Sequence, residues 1–196
     1  MKYVRLLMIS LLLVLVGCGS YREIKPNYSE KVADFSFTTQ DEETLSLKDL
    51  EGKWWIADFI FTNCQDVCMP MTYHMSLLQD KLKEHDLDIH LISFSVDPDY
   101  DSPSVLREYA KEYDADLTNW SFLTGYDFQT IRELSIKSFR SLLQAPERGS
   151  DQVMHGTEFM LVSPEGKMIK SYDGLSAEEM DHIIEDLNLL RSNGKL

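Results

Sequence analysis

The feature that most constrains the fold is a nearly continuous apolar run from Trp54 to Phe61. A strand with this pattern is buried on both faces, so the sheet that contains it must carry other elements on each side. The apolar residues that follow recur at spacings of four, three and four, which indicates one face of a helix. These residues are Met71, Met75, Leu78 and Leu82.

Strand and helix patterns alternate along the rest of the chain. Two short segments before the central run are separated by a polar turn, which indicates a hairpin. Ser102-Pro103 is typical of a helix start, and the capping-box sequence from Ser176 to Glu179 predicts another. The predicted strands are 34–39, 44–47, 54–61, 90–96, 120–123, 158–162 and 168–172, and the predicted helices follow the cysteines, Ser102, residue 127 and Ser176.

This order of elements indicates an α/β sheet with helices on both faces. It fits a thioredoxin-like fold with an added N-terminal β-hairpin. Residues 138–152 are irregular, with Pro146 and Gly149, and predict an insertion loop before the C-terminal β-hairpin. We therefore expect one thioredoxin-like domain over residues 32–192.

The N-terminus carries the pattern of a secretory signal peptide. Two basic residues precede an apolar run, Leu6 to Val16, which is shorter than the roughly 20 residues of a membrane-spanning helix. The run ends in Leu-Val-Gly-Cys, like a bacterial lipobox. We expect a lipoprotein signal peptide over 1–17, a lipid on Cys18 and a polar linker over 18–31. The domain would then be anchored to the cell membrane on its extracytoplasmic side; the alternative is an ordinary membrane anchor with an incidental cysteine.

The formal net charge of the chain is −14. Nucleic-acid binding normally requires a basic face, so we expect no nucleic-acid partner. An acidic surface is compatible with cations or basic partners, or with solvation alone.

Lipidation of Cys18 would leave Cys64 and Cys68 as the cysteines of the folded domain. They follow the predicted central strand and precede a helix, whose N-terminus favours thiolate over thiol. Residues four apart in a helix have Cα atoms roughly 6 Å apart, which lies within the roughly 4.4–6.8 Å range of a disulfide. The pair can therefore be a redox-active disulfide, a dithiol or two ligands of one soft metal ion.

A two-thiolate metal site needs at least one more ligand, and His155 is the favoured candidate. It lies between the irregular segment and the strand 158–162, where a thioredoxin-like fold brings a loop over its cysteines. His74, in the helix after the cysteines, is a second candidate. The other histidines lie where exposure is expected: His85, His90 and His182.

Three parts of the sequence together resemble the Sco/SenC family. They are the run Asp58–Pro70, with its Cys-x-x-x-Cys spacing, the run Ser95–Pro103, with Ser-Val-Asp-Pro, and His155. The resemblance implies a membrane-tethered protein that binds copper, as Cu(I) or Cu(II), through Cys64, Cys68 and His155. Family members help to assemble the dinuclear copper (CuA) centre of cytochrome c oxidase, so the implied partner is the copper-site subunit of that enzyme.

Some positions depart from the family pattern. The family often has Pro after the first Cys and directly after the second, where this chain has Gln65 and Met69. Met154 stands where an acidic residue often precedes the His, and a carboxylate there commonly helps to orient a metal-bound His. The resemblance also implies a role for Asp97 in copper capture or docking; a turn in which this Asp caps its own backbone is the alternative.

The donor set itself suits copper. Two thiolates select Cu(I), and an added imidazole also accommodates Cu(II). A structural zinc site would require a fourth fixed ligand, and none is obvious. Met69 and Met71 could supply a thioether, although Met71 fits the apolar face of its helix.

Copper delivery is the leading hypothesis, rather than enzymatic turnover. The second is a thiol–disulfide oxidoreductase that reduces the copper-binding cysteines of the oxidase. Three residues separate Cys64 from Cys68, whereas thioredoxin-type enzymes have two, which disfavours efficient exchange. A peroxidase is third: peroxiredoxins place Thr three residues before the reactive Cys, and Thr62 lies two before Cys64.

Overall fold

The computed structural model of the chain describes residues 24 and 26–196. The strands in chain order are β1 Ser36–Thr39, β2 Thr44–Ser46, β3 Trp55–Ile60, β4 His90–Ser95, β5 Trp120–Thr124, β6 Leu143–Gln144, β7 Met154–His155, β8 Glu158–Val162 and β9 Met168–Asp173. The α-helices are α1 Cys68–Glu84, α2 Pro103–Glu112, α3 Phe128–Phe139 and α4 Glu179–Ser192, and Leu47–Leu50 forms a short 3-10 helix. Within the described residues, no helix has the length and apolar character needed to cross a membrane.

Seven of the strands form one sheet, in the order β2-β1-β5-β4-β3-β8-β9. Strands β3, β4 and β5 are parallel, and β1 and β8 pair with them antiparallel on either side. Every residue of β3 is buried. The apolar run from Trp54 to Phe61 therefore forms the central strand, as predicted.

Helices cover both faces of this sheet. On one face, the Phe139 ring of α3 lies 6.2 Å from Trp55 and 5.6 Å from Phe59. Side chains alternate along a strand, so Phe122 lies on the other face. There the Tyr109 ring of α2 lies 6.3 Å from the Phe122 ring. Helix α1 packs against α4. The predicted thioredoxin-like α/β fold is confirmed, with β1 and β2 as the added N-terminal hairpin.

The segment 138–152 is more ordered than the sequence indicated. Residues 138 and 139 complete α3, and β6 pairs antiparallel with β7. Two-residue strands carry too little pattern to be recognised in a sequence, because tertiary contacts create them. The parts of this region without helix or strand are residues 140–142 and 145–153.

Of the two helix starts predicted from capping sequences, the one at Ser102 was correct and the one at Ser176 was wrong. The Ser102 side chain accepts a hydrogen bond from the Val105 N–H, so Ser102 caps α2. Helix α4 begins only at Glu179, and no side chain caps it. The Glu179 N–H instead donates to the Ser176 carbonyl, so a backbone turn replaces the predicted capping box.

The end of the predicted linker lies along the edge of the sheet. The Asn27 and Tyr28 N–H groups donate to the Ile169 carbonyl of β9, and the Met168 N–H donates to the Glu30 carbonyl. The backbone contacts of the domain therefore begin a few residues before Val32.

Candidate metal centre

The loop between β3 and α1 positions Cys64 at the carboxyl end of the central strands. The Thr62 N–H and hydroxyl both donate to the Asp101 carboxylate, the hydroxyl at 2.5 Å. The Ser95 hydroxyl donates to the same carboxylate at 2.6 Å. Asp101 is completely buried, so it joins the ends of β3 and β4 beneath the loop that carries Cys64.

Cys68 is the first residue of α1, and its N–H donates to the Cys64 sulfur at 3.4 Å. This bond and the positive end of the helix place partial positive charge next to that sulfur. Cys64 is half-buried and Cys68 is buried, and both are free thiols in the structure. The predicted redox-active disulfide between them stays a prediction.

His155 reaches the cysteines from the β6–β7 hairpin. Its Nε2 lies 3.1 Å from the Cys68 sulfur, and its Nδ1 hydrogen-bonds the Gly156 carbonyl at 2.8 Å. The ring of Phe61 packs edge-on against the imidazole, with centroids 5.8 Å apart. A backbone carbonyl and an aromatic ring therefore orient this histidine, where the family often has a neighbouring carboxylate.

A glycine after His155 allows the hairpin to approach the end of α3. A Cβ at Gly156 would lie 2.1 Å from the Ser141 Oγ and 2.5 Å from a Glu158 carboxylate oxygen. A side chain at this position therefore requires the Ser141 hydroxyl and the Glu158 carboxylate to move aside.

The structure thus brings the three predicted ligands together. The sulfurs of Cys64 and Cys68 and a ring nitrogen of His155 all lie within 4.8 Å of one another. Two sulfurs and one imidazole form a soft donor set that suits Cu(I) and can also hold Cu(II).

The two thiols have opposite protonation tendencies. A hydrogen bond from the Cys68 thiol holds the pKa of the Cys64 thiol well below its usual range, and a hydrogen bond with His155 lowers it further. Burial raises the pKa of the Cys68 thiol, and the neighbouring Cys64 raises it further. These shifts favour the thiolate form of Cys64 and the thiol form of Cys68.

Asp97 follows β4 at the same end of the sheet and is not one of the three converging ligands. The Asp97 N–H donates a hydrogen bond to the Ser95 hydroxyl at 3.1 Å. The Asp97 carbonyl accepts a hydrogen bond from the Tyr100 N–H in a turn. Burial raises the pKa of the Asp97 carboxyl, and the charges of Asp99 and Asp151 raise it further. The predicted role of Asp97 in capture or docking stays a prediction.

The other sulfur and histidine candidates lie elsewhere. His74 Nδ1 hydrogen-bonds the Gly174 carbonyl at 2.7 Å and is not part of the group of three. Met71 is fully buried in the core, as predicted, whereas Met69 is exposed. Cys18, the predicted lipidation site, lies outside the described residues.

Sequence reasoning missed two polar residues, one that supports the cysteine loop and one that is buried in the central strand. The Gln152 side chain accepts from the Gln65 N–H and donates to the Asn63 carbonyl, both at 3.1 Å, and so braces the cysteine loop against the insertion.

Asp58 of β3 is completely buried, and neither carboxylate oxygen has a hydrogen-bond partner among the described residues. Burial raises the pKa of this carboxyl to about 7. Asp58 interrupts the apolar run of the central strand, and that interruption is the signal that could have identified it.

A cleft of about 470 Å³ opens beside the centre. Cys64 and His155 lie in its wall, together with side chains of the loop 64–67 and of the insertion. The buried Cys68 does not line it. The cleft is therefore a route from solvent to the half-buried Cys64.

Comparison with known proteins agrees with the geometry. The sequence profile of the SCO1/SenC family matches residues 25–190. The SCO1 protein homolog of Bacillus subtilis (strain 168) is 46% identical over 175 residues, which cover 89% of this chain and 90% of the relative.

The chain belongs to the SCO1/SenC family.

Solved structures of Sco proteins share its fold. A SCO1/SenC family lipoprotein from Bacillus anthracis str. Ames is 44% identical, with a TM-score of 0.82 over 87% of this chain and 99% of that chain. BsSco, described as a member of the Sco family of cytochrome c oxidase assembly proteins with a disulfide switch, is 46% identical, with a TM-score of 0.78 over 86% and 97%. Arabidopsis thaliana ScoI, solved with copper bound, is 27% identical, with a TM-score of 0.69 over 82% and 98%.

Proposed function

We propose that this Sco protein binds copper through Cys64, Cys68 and His155 and delivers it to the CuA centre of cytochrome c oxidase during assembly. The observation that carries the proposal is the convergence of two thiols and an imidazole within 4.8 Å. The copper-bound Arabidopsis relative and the oxidase-assembly relative support it.

Each of the three residues has its own part in metal capture. Cys64 is the half-buried residue of the three and carries the thiolate, so it is the first sulfur available to an arriving ion. Cys68 lies deeper and must lose its proton before its sulfur can bind, because only thiolate is an effective ligand. His155 Nε2 already lies 3.1 Å from that sulfur, so binding requires little movement of the imidazole.

The location we propose is the extracytoplasmic side of the cell membrane, with a lipid on Cys18 as anchor. The leader and lipobox patterns support it, and a 44% identical relative is a lipoprotein. There the domain can reach the copper-site subunit of a membrane-bound oxidase. Globomycin treatment tests the anchor: unchanged processing of the precursor would overturn it.

Copper titration of the domain tests the metal site. We expect one tightly bound Cu(I) per wild-type chain, and much weaker binding in Cys64→Ala, Cys68→Ala and His155→Ala. His74→Ala is the matched control, because His74 is engaged by a backbone carbonyl outside the centre. Wild-type affinity in all three ligand variants would overturn the proposed site.

A deletion strain tests delivery. Restoration of CuA-type oxidase activity by added copper, and not by a reductant, is the expected result. Cells that express His155→Ala should behave like the deletion strain.

The second candidate is thiol–disulfide exchange with the copper-binding cysteines of the oxidase. The low pKa of the Cys64 thiol favours it, and the disulfide switch of the BsSco relative supports it. The two functions differ in their need for the imidazole. If His155→Ala assembles active oxidase while Cys64→Ser and Cys68→Ser do not, thiol exchange replaces delivery as the function.

A further inference from the structure

The methionines of the described part of the chain fall into two groups. Five are buried, with at most 1% of their surface exposed: Met71, Met75, Met160, Met168 and Met180. Met69 and Met154 are 53% and 55% exposed. Each of these two is the sequence neighbour of a proposed ligand, since Met69 follows Cys68 and Met154 precedes His155.

Only one of the two exposed methionines lines the cleft. Met154 lies in the cleft wall with Cys64 and His155, and Met69 does not. Single exposed apolar side chains are common on protein surfaces and need no special explanation. The presence of a methionine in the wall of the cleft that reaches Cys64 is the observation that separates Met154 from that background.

The strand that carries Met154 keeps it out of the inner centre. Neighbouring side chains of a strand point to opposite sides, and β7 turns His155 inward while Met154 stays exposed. Met154 therefore does not add a fourth ligand to the three while β7 is intact. Any role toward the metal must come before the inner centre is filled or while it is being emptied.

The chemistry of a thioether suits such a transient role. It is a soft, neutral sulfur donor that favours Cu(I) over harder ions. It has no proton to lose, so it can bind at any pH. A single thioether binds weakly, which allows the ion to move on to a thiolate.

We propose that Met154 is a transient Cu(I) ligand through which the ion enters and leaves the centre. In uptake, a Cu–S(Met154) bond forms as a ligand of the donor leaves. That bond then breaks as Cu–S(Cys64) forms, the Cys68 proton passes to solvent, and copper stays Cu(I) throughout. Release follows the same steps in reverse. This inference rests on the proposed function, because it requires Cu(I) at Cys64, Cys68 and His155.

The test is the rate of Cu(I) exchange, measured apart from affinity. Cu(I) held by bicinchoninate serves as donor and bathocuproine disulfonate as acceptor, and stopped-flow absorbance follows both directions. For Met154→Leu we expect uptake and release about tenfold slower, the effect of about 1.4 kcal/mol on the exchange barrier. The equilibrium affinity should stay at the wild-type value, because the three inner ligands are intact.

Met69→Leu is the matched control, since it removes an equally exposed thioether next to a ligand but outside the cleft. Its exchange rates should equal those of the wild type. Rates for Met154→Leu within twofold of wild type, or equal slowing by Met69→Leu, would overturn the inference and leave copper binding standing. A wild-type chain that takes up no Cu(I) would instead overturn the proposed function, and this inference with it.

Discussion

The Cys68 sulfur lies 3.1 Å from the His155 Nε2, although 87 residues separate the two in the sequence. One side chain begins helix α1, and the other stands on a two-residue strand of a small separate sheet. The centre is therefore assembled from two parts of the chain that are distant in sequence, and its geometry depends on how the β6–β7 hairpin is held.

The first prediction concerns the thiols. Alkylation of Cys64 by iodoacetamide should proceed at nearly the same rate from pH 6 to pH 8, because the pKa of its thiol is held low. An ordinary thiol, with a pKa of about 8.5, gains about tenfold in rate per pH unit over this range. Cys68 should stay unlabelled in the folded protein, as mass spectrometry of peptides would show. In Cys68→Ala the ordinary pH dependence should return, since the hydrogen bond from the Cys68 thiol, which alanine lacks, is the largest cause of the low pKa.

The second prediction concerns protons released by copper. With Cys64 already a thiolate, binding should release one proton, from Cys68. The apparent Kd for Cu(I) should therefore fall about tenfold per pH unit between pH 7 and 9. Competition with a chelator whose own pH dependence is known measures this slope. Cys68→Ala should keep a slope of about one proton below pH 8.5, because the proton then comes from Cys64. A wild-type slope of two protons would show that Cys64 is not a thiolate in the free protein.

The third prediction concerns the buried Asp58. Its pKa is about 7 in the folded chain and about 3.9 in an unfolded one. Between these values the folded state keeps a proton that the unfolded state has lost, so stability is present at low pH and is lost as pH rises. Relative to Asp58→Asn, the wild type should lose on the order of 4 kcal/mol between pH 4 and pH 7. Urea unfolding of the metal-free wild type and of Asp58→Asn across this pH range measures the difference. Parallel pH profiles of the unfolding free energy of the two proteins would contradict the prediction.

The fourth prediction concerns the close approach at Gly156. Gly156→Ala should lower stability by about 1–3 kcal/mol, the usual cost of overpacking, and should weaken copper binding by displacing His155. Ser141→Ala alone should have little effect, because the Ser141 hydroxyl has no hydrogen-bond partner among the described residues. The double variant should recover much of the loss, because the nearest clashing atom is removed. Chelator competition and urea unfolding on the three variants provide the readouts.

The sequence predicted the core of the fold well because the core residues signal it locally. The apolar run of β3 and the period-two segments of β1 and β2 belong to elements whose burial is visible in their own residues. The β6–β7 hairpin could not be predicted in this way, because two-residue strands exist only through tertiary contacts. A local pattern can also mislead: the sequence at Ser176 predicts a capping box, but the structure has a backbone turn there.

The candidate site divides along the same line. Cys64 and Cys68 were identified by spacing and by their place between a strand and a helix, both local features. Position favoured His155 among five histidines, and the family resemblance strengthened that choice. The sequence alone could not place it beside Cys68, because a distant hairpin sets that approach. The hydrogen bonds that Gln152 and Asp101 make to the cysteine loop join residues that are far apart in the sequence, so no local pattern predicts them.

The backbone bonds between residues 27–30 and β9 have a consequence for solubility. An outer strand with free N–H and C=O groups can pair with the same strand of another molecule and so promote aggregation. Here the segment that leads in from the predicted lipid anchor occupies part of that edge, through Ile169 and Met168. A fragment shortened to Val32 would leave the edge open to self-association, so residues 27–30 protect this edge whether or not Cys18 carries a lipid.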